Sequence, residues 1–133
     1  MKILIAEDDF IARKVLFNFL TKYGEIDVSE NGQEALTLFT RQLKHGDGYD
    51  LVCLDIMMPR LNGHEALEEI RRLEAEYGKK DGKRVKIIMT TALDDSQNIL
   101  TSFNNQCDGY ITKPYSWEKL ETEVQRVLQA GAE

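Results

Sequence analysis

Leu51-Val52-Cys53-Leu54-Asp55-Ile56-Met57-Met58-Pro59 is the stretch on which the reading of the whole chain turns. Its Leu51–Leu54 core does not alternate apolar with polar residues, as expected of a strand buried on both faces. Asp55 then places a charge where burial is costly unless the charge has a purpose. Working outward, other short apolar runs also end in polar groups: Lys2–Ala6 in Glu7-Asp8, Lys86–Thr90 in Thr91, and Gly109–Thr112 in Lys113. Glu25–Ser29 is the weakest run. Longer patterns of helical period lie between them. Phe10–Tyr23 carries Ile11, Val15, Phe19 and Leu20 on one face and stops at Gly24. Asn31 with Glu34 reads as a capping box, followed by an apolar stripe of Ala35, Leu36, Phe39 and Leu43. Further helices are expected over Gly63–Tyr77, with Leu67, Ile70 and Leu73 inward, and over Ser96–Asn105. The closing helix, Ser116–Gln129, has Leu120, Val124, Val127 and Leu128 on one face. Such alternation predicts an α/β domain, a parallel sheet covered on both faces.

If the runs are parallel strands, Glu7, Asp8, Asp55, Thr91 and Lys113 meet at the carboxyl edge of the sheet, where open α/β folds bind ligands. Carboxylates, a hydroxyl and an ammonium gathered there can hold a divalent metal and a phosphoryl group. Mg2+ suits a partial cage of this kind, since it takes one or two carboxylates plus phosphate oxygens. One of Glu7 and Asp8 can ligate directly while the other works through water. A carboxylate at Asp55 can attack phosphorus to give an acyl phosphate. Without a cation the crowded acids should raise at least one pKa. Lys113 can pair with the carboxylate and then with phosphate. Thr91, helped by the Ala92 N–H, can donate to a phosphoryl oxygen. Thr90 is the competing hydroxyl, but strand alternation sends it to the other face. Taken singly, Glu7-Asp8-Asp9 also reads as a solvated turn with an N-cap at Asp9, Asp55 as a strand cap, and Lys113 as a solvated lysine.

The 133 residues, 42% hydrophobic and 30% charged, fit one domain spanning 1–133 with a real core. A net charge of -6 argues against direct, sequence-independent nucleic-acid binding. Two distant cysteines, Cys53 and Cys107, write neither a disulfide framework nor a zinc site. No apolar stretch approaches membrane-spanning length, so no membrane partner is expected and a reducing, cytoplasmic home is the simplest reading.

Glu7-Asp8, Leu54 to Gly63, Thr91-Ala92 and Tyr110-Ile111-Thr112-Lys113-Pro114-Tyr115 together resemble the receiver domain of two-component response regulators, in order and over essentially the whole chain. The resemblance implies a doubly wound, flavodoxin-like (βα)5 fold with strand order 2-1-3-4-5. It implies phosphorylation of Asp55 by a sensor histidine kinase or histidine phosphotransfer protein. Mg2+ would be held by Asp8, Asp55 and the main-chain carbonyl of Met57, with Glu7 acting through water. Thr91 and Tyr110 would be the switch pair, re-shaping the face of the fourth helix, fifth strand and fifth helix for a downstream protein. Met57, Ala92 and Pro114 would lie beside the phosphoryl group, and Lys113-Pro114 would be joined by a cis bond.

Several positions depart from the family pattern. Glu7 replaces the commoner Asp. Tyr115 stands where Phe is usual and is expected to change little. Gln106-Cys107 replaces a frequent Gly-Ala, so that a cap for the preceding helix is sought at Asn104 or Asn105. Gly78–Arg84 reads as a solvated loop and Trp117 as a surface anchor of the closing helix. Met57 and Leu93, apolar by the phosphoryl group, are expected to lengthen its lifetime. The resemblance implies a stand-alone, chemotaxis-type or phosphorelay switch, not an enzyme beyond assisting its own phosphorylation and dephosphorylation. Three alternatives remain: the receiver part of a longer transcriptional regulator, a phosphatase of the haloacid-dehalogenase type, and a nucleotide-binding flavodoxin-like module. Against the phosphatase, Met57 fills the place of the second acid in Asp-x-Asp; against the module, no Gly-rich loop follows the first strand.

Overall fold

All of the strand β3 (Leu51–Asp55) is buried, because both faces of the sheet are covered. The computed structural model describes residues 1–58, 60–78, 84–92 and 107–130. Within them β3 pairs in parallel with β1 (Lys2–Ala6) on one side and β4 (Lys86–Ala92) on the other. β2 (Glu25–Ser29) flanks β1, and β5 (Gly109–Lys113) flanks β4, giving the expected five-stranded order β2-β1-β3-β4-β5. The chain winds outward in both directions from β1 and β3, so a crevice opens beyond their carboxyl ends. Ala6 is in register with Leu54, which sets Glu7 and Asp55 side by side at the mouth of that crevice.

Strand alternation divides the core in two. One layer packs Leu4, Val52, Leu54, Ile87 and Met89 against α2 (Gly32–His45) and α3 (Gly63–Glu76). The other packs Ile3, Ile5, Cys53, Ile88 and Ile111 against α1 (Phe10–Leu20) and α4 (Trp117–Ala130), the closing helix. Each fully buried Leu, Ile or Phe contributes about 1.5–3 kcal/mol of transfer free energy. In α1 the buried face is Ala12, Leu16, Phe19 and Leu20, whereas Ile11, expected inward, is 71% exposed. The N-cap decides this rotation: Asp9 Oδ2 accepts from the Ala12 N–H at 3.1 Å and fixes where the first turn starts. Asn31 caps α2 through the Glu34 N–H at 2.8 Å, but the reciprocal half of the expected box is not made. The full box occurs at α3, between Asn62 and Glu65. Trp117 meets Phe19 edge-on at 5.0 Å, anchoring α4 as expected.

A buried ionic clasp ties the last turn of α3 to the amino edge of the sheet. Glu74, 2% exposed, accepts from the Val85 N–H at 2.5 Å and from Arg71 at 2.7 Å. Arg71 also donates to the Val85 carbonyl at 3.0 Å and to Asp108 at 3.3 Å, and Asp108 accepts from the Ile87 N–H. The helix expected over 96–105, its cap at Asn104 or Asn105, Leu93, and residues 79–83 of the basic loop lie outside the described residues.

Candidate functional site

The crevice at the ends of β1, β3 and β5 gathers the predicted acids and the lysine. One carboxylate oxygen each from Glu7, Asp8 and Asp55 lies within 4.8 Å of the others. Lys113 Nζ reaches Glu7 Oε2 at 2.9 Å and Asp55 Oδ2 at 3.3 Å. Glu7 is completely buried and Asp55 is 3% exposed, while Asp8 faces solvent. The Met57 N–H donates to Asp55 Oδ1 at 3.3 Å, and the Met57 side chain is 67% exposed on the rim.

Electrostatics follow from this crowding. Burial, then the hydrogen bond and charge of Glu7, push the Asp55 carboxyl up to about 8 against the opposing pull of Lys113. Burial draws the Lys113 ammonium downward, but the hydrogen bond and charge of Glu7 and the charge of Asp55 outweigh it and hold it above the ordinary lysine value. The raised pKa expected of the crowded acids falls on Asp55, with burial as its largest cause.

Thr91 is buried near the end of β4, one residue beyond Thr90, the register partner of Asp55. The Ala92 backbone is in register with Lys113. Thr90 is buried too, on the face of Ile88, where its hydroxyl lies beside that of Tyr115. Tyr110 sits nearer the amino edge, in register with Met89 and 39% exposed. The Lys113-Pro114 bond is cis, as expected.

Two contributors were not read from the sequence, and one was misjudged. Arg13 Nη1 donates to the Glu7 carbonyl at 3.0 Å and more weakly to that of Asp8 at 3.5 Å, and its Nη2 pairs with Glu30 at 3.3 Å. This cation holds the backbone that presents the acids. Gly63, at the start of α3, packs so closely on β3 that a Cβ there would stand 2.7 Å from Ile56 Cα. Tyr115, expected to be neutral, instead donates its hydroxyl to Glu7 Oε1 at 3.0 Å. The paired departures, Glu for Asp and Tyr for Phe, were the available signal.

A doubly wound fold thus gathers three carboxylates and a lysine at its switch point, the groups needed to hold a divalent cation and a phosphoryl group. The chain belongs to the response regulator receiver domain family, whose description its sequence matches over residues 3–125. It is thereby a phospho-acceptor switch of the two-component type. It is similar to the probable transcriptional regulator ycf27 of Guillardia theta, 38% identical over 129 residues, covering 96% of this chain and 45% of the relative. The regulatory protein VanRB of Enterococcus faecalis is 35% identical, with 96% and 51% covered. The chain thus spans about half the length of these curated relatives. Among solved structures, the receiver domain of the histidine kinase CKI1 from Arabidopsis thaliana superimposes with TM-score 0.80 at 27% identity, covering 96% of this chain and 89% of that one. A CheY-like receiver domain protein from Methanospirillum hungatei gives 0.72 at 25%, covering 98% and 95%. These likenesses do not favour the phosphatase or the nucleotide-binding alternative. No helix among the described residues is long and apolar enough to cross a membrane.

Proposed function

We propose that Asp55 is the phospho-acceptor of a single receiver domain spanning residues 1–133, fed by the phosphohistidine of a sensor histidine kinase or histidine phosphotransfer protein. The observation that carries this reading is the bridge of Lys113 between Glu7 and Asp55 at the edge of a three-carboxylate cluster. An Asp55 oxygen attacks phosphorus, the P–N bond to the donor imidazole breaks with its electron pair returning to nitrogen, and an acyl phosphate results. Lys113 then pairs with a phosphoryl oxygen, as do the Thr91 hydroxyl and the Ala92 N–H. Met57 and Pro114 border the same oxygens.

The donor set suits Mg2+, because the cluster offers carboxylate oxygens and little else. Asp8, Asp55 and the main-chain carbonyl of Met57 would hold it directly. Glu7, whose oxygens already accept from Lys113 and Tyr115, would act through water. When bound, the ion supplies positive charge that favours ionised Asp55 and offsets charge on the transferring group. Phosphorylation moves the Thr91 hydroxyl toward the new phosphate and draws the now half-exposed Tyr110 ring inward, changing the surface around β5 and α4 for a downstream protein. The donor protein docks beside the site on α1, where Phe10 and Ile11 stand 62% and 71% exposed. The free cysteines and the kinase-fed chemistry support a cytoplasmic home. The catalytic part of the chain would be limited to assisting its own phosphorylation and dephosphorylation.

Intact mass after treatment with acetyl phosphate and Mg2+ tests the acceptor. Wild type should gain one phosphoryl group and Asp55→Asn none; equal gain by both would refute the assignment.

A further inference from the structure

Glu7 is completely buried, and both of its oxygens accept from protein donors. Oε2 accepts from Lys113 Nζ at 2.9 Å and from the Asp9 N–H at 3.3 Å; Oε1 accepts from the Tyr115 hydroxyl at 3.0 Å. Lys113 simultaneously stands 3.3 Å from Asp55, so one ammonium serves two carboxylates. A buried carboxylate that loses its cation needs other donors, or the charge is left uncompensated. The extra methylene of glutamate, relative to aspartate, reaches further into the fold and delivers Oε1 to the Tyr115 ring, which is itself packed against the α1 and α4 layer. Phenylalanine at 115 would leave that oxygen buried without its hydroxyl donor.

Building on the reading of Asp55 as acceptor, we propose that Tyr115 is a positioning residue matched to the longer acid at position 7. Its hydroxyl holds Glu7 in place, so that Lys113 is free to leave Glu7 for the phosphoryl group forming on Asp55. Without the hydroxyl, Glu7 retains Lys113 and transfer slows. With aspartate at position 7 the shorter side chain does not reach Tyr115, and the hydroxyl loses its carboxylate acceptor while keeping Thr90 beside it. Tyr115 is therefore coupled to the identity of residue 7 and not merely to packing.

Four proteins test this: wild type, Tyr115→Phe, Glu7→Asp and the double variant. In metal-free buffer, urea denaturation should show that Tyr115→Phe lowers the folding equilibrium constant about tenfold beside Glu7, the scale of one hydrogen bond to a charged group, and less than about twofold beside Asp at position 7. With Mg2+ saturating, Tyr115→Phe should slow phosphoryl uptake about tenfold at saturating acetyl phosphate while the half-saturating concentration stays within about twofold. On top of Glu7→Asp it should change neither. Equal losses in both backgrounds, or uptake by Tyr115→Phe at the wild-type rate, would overturn the proposal. A wild type that accepts no phosphoryl group overturns the acceptor reading, and the transfer role with it; the metal-free comparison still reports the Glu7–Tyr115 pairing separately.

Discussion

Replacing Asp55 with asparagine should stabilise the metal-free protein at pH 8 and remove a pH dependence that the wild type carries. A carboxyl ordinarily titrating at 3.8 is pushed to about 8 in the folded chain. Between those values the folded state holds a proton that the unfolded state has released. Stability therefore falls as pH rises through this window and levels off above about 8, the reverse of an ordinary salt-bridged aspartate. At about 1.4 kcal/mol per tenfold, the window sets an upper bound of about 6 kcal/mol. Lys113 lies 3.3 Å away and water can enter beside the exposed Asp8, so about 2–3 kcal/mol is the expected loss. Urea denaturation with a chelator present, followed by fluorescence of the single tryptophan, measures it. Asparagine is nearly isosteric and does not titrate, so Asp55→Asn should be flat where wild type slopes; both histidines are common to the two proteins and cancel. Mg2+ at pH 8 should then restore wild type and barely move the variant. A wild type without slope between pH 5 and 8, or a slope equal in Asp55→Asn, would refute the argument.

Lys113→Met should cost about 3 kcal/mol at pH 7, because it leaves Glu7 and Asp55 buried together without their cation; adding Asp55→Asn should recover part of the loss, read in the same denaturation assay. Glu74→Ala strips the acceptor from the Val85 N–H and one partner from the buried Arg71, and should cost about 3 kcal/mol by thermal unfolding without altering which residue is phosphorylated. Gly63→Ala sets a methyl against the backbone that carries Asp55 and should both destabilise by more than about 2 kcal/mol and reduce phosphoryl uptake, measured by intact mass.

The sheet could be read from the chain because its signal is local: short unbroken apolar runs such as Leu51–Leu54, alternating with helical patterns, fit interior parallel strands, and polar residues at their ends then share an edge. β2 emerged with the expected bounds despite its weak pattern. Local signals failed where two apolar faces competed, as on α1, whose Phe10 and Ile11 point outward although Ile11 has helical spacing from Val15 and Phe19. The Asn62–Glu65 box was as legible as that at Asn31, yet was obscured by the Leu54–Gly63 motif in which it lies. Arg13, Glu74 and Tyr115 escaped for another reason. Each acts across a distance that composition and period do not encode, and Tyr115 is 108 residues from the acid it serves.

The disposition of the acids also differs from what an aspartyl-phosphate phosphatase requires. A phosphatase that proceeds through an aspartyl phosphate needs a second acid, able to protonate the leaving group and then activate water. Beside Asp55 that place holds Met57, apolar and turned to solvent. Glu7 is tied to Lys113, Tyr115 and the Asp9 N–H, and Asp8 is the exposed member of the same carboxylate cluster. Among the described residues, no carboxylate close to Asp55 is left over to act as a base. If Asp55 is the acceptor as proposed, slow loss of phosphate is the expected outcome, measured by intact mass over time after acetyl phosphate is removed; loss as fast as in receivers with polar residues in place of Met57 and Leu93 would refute it.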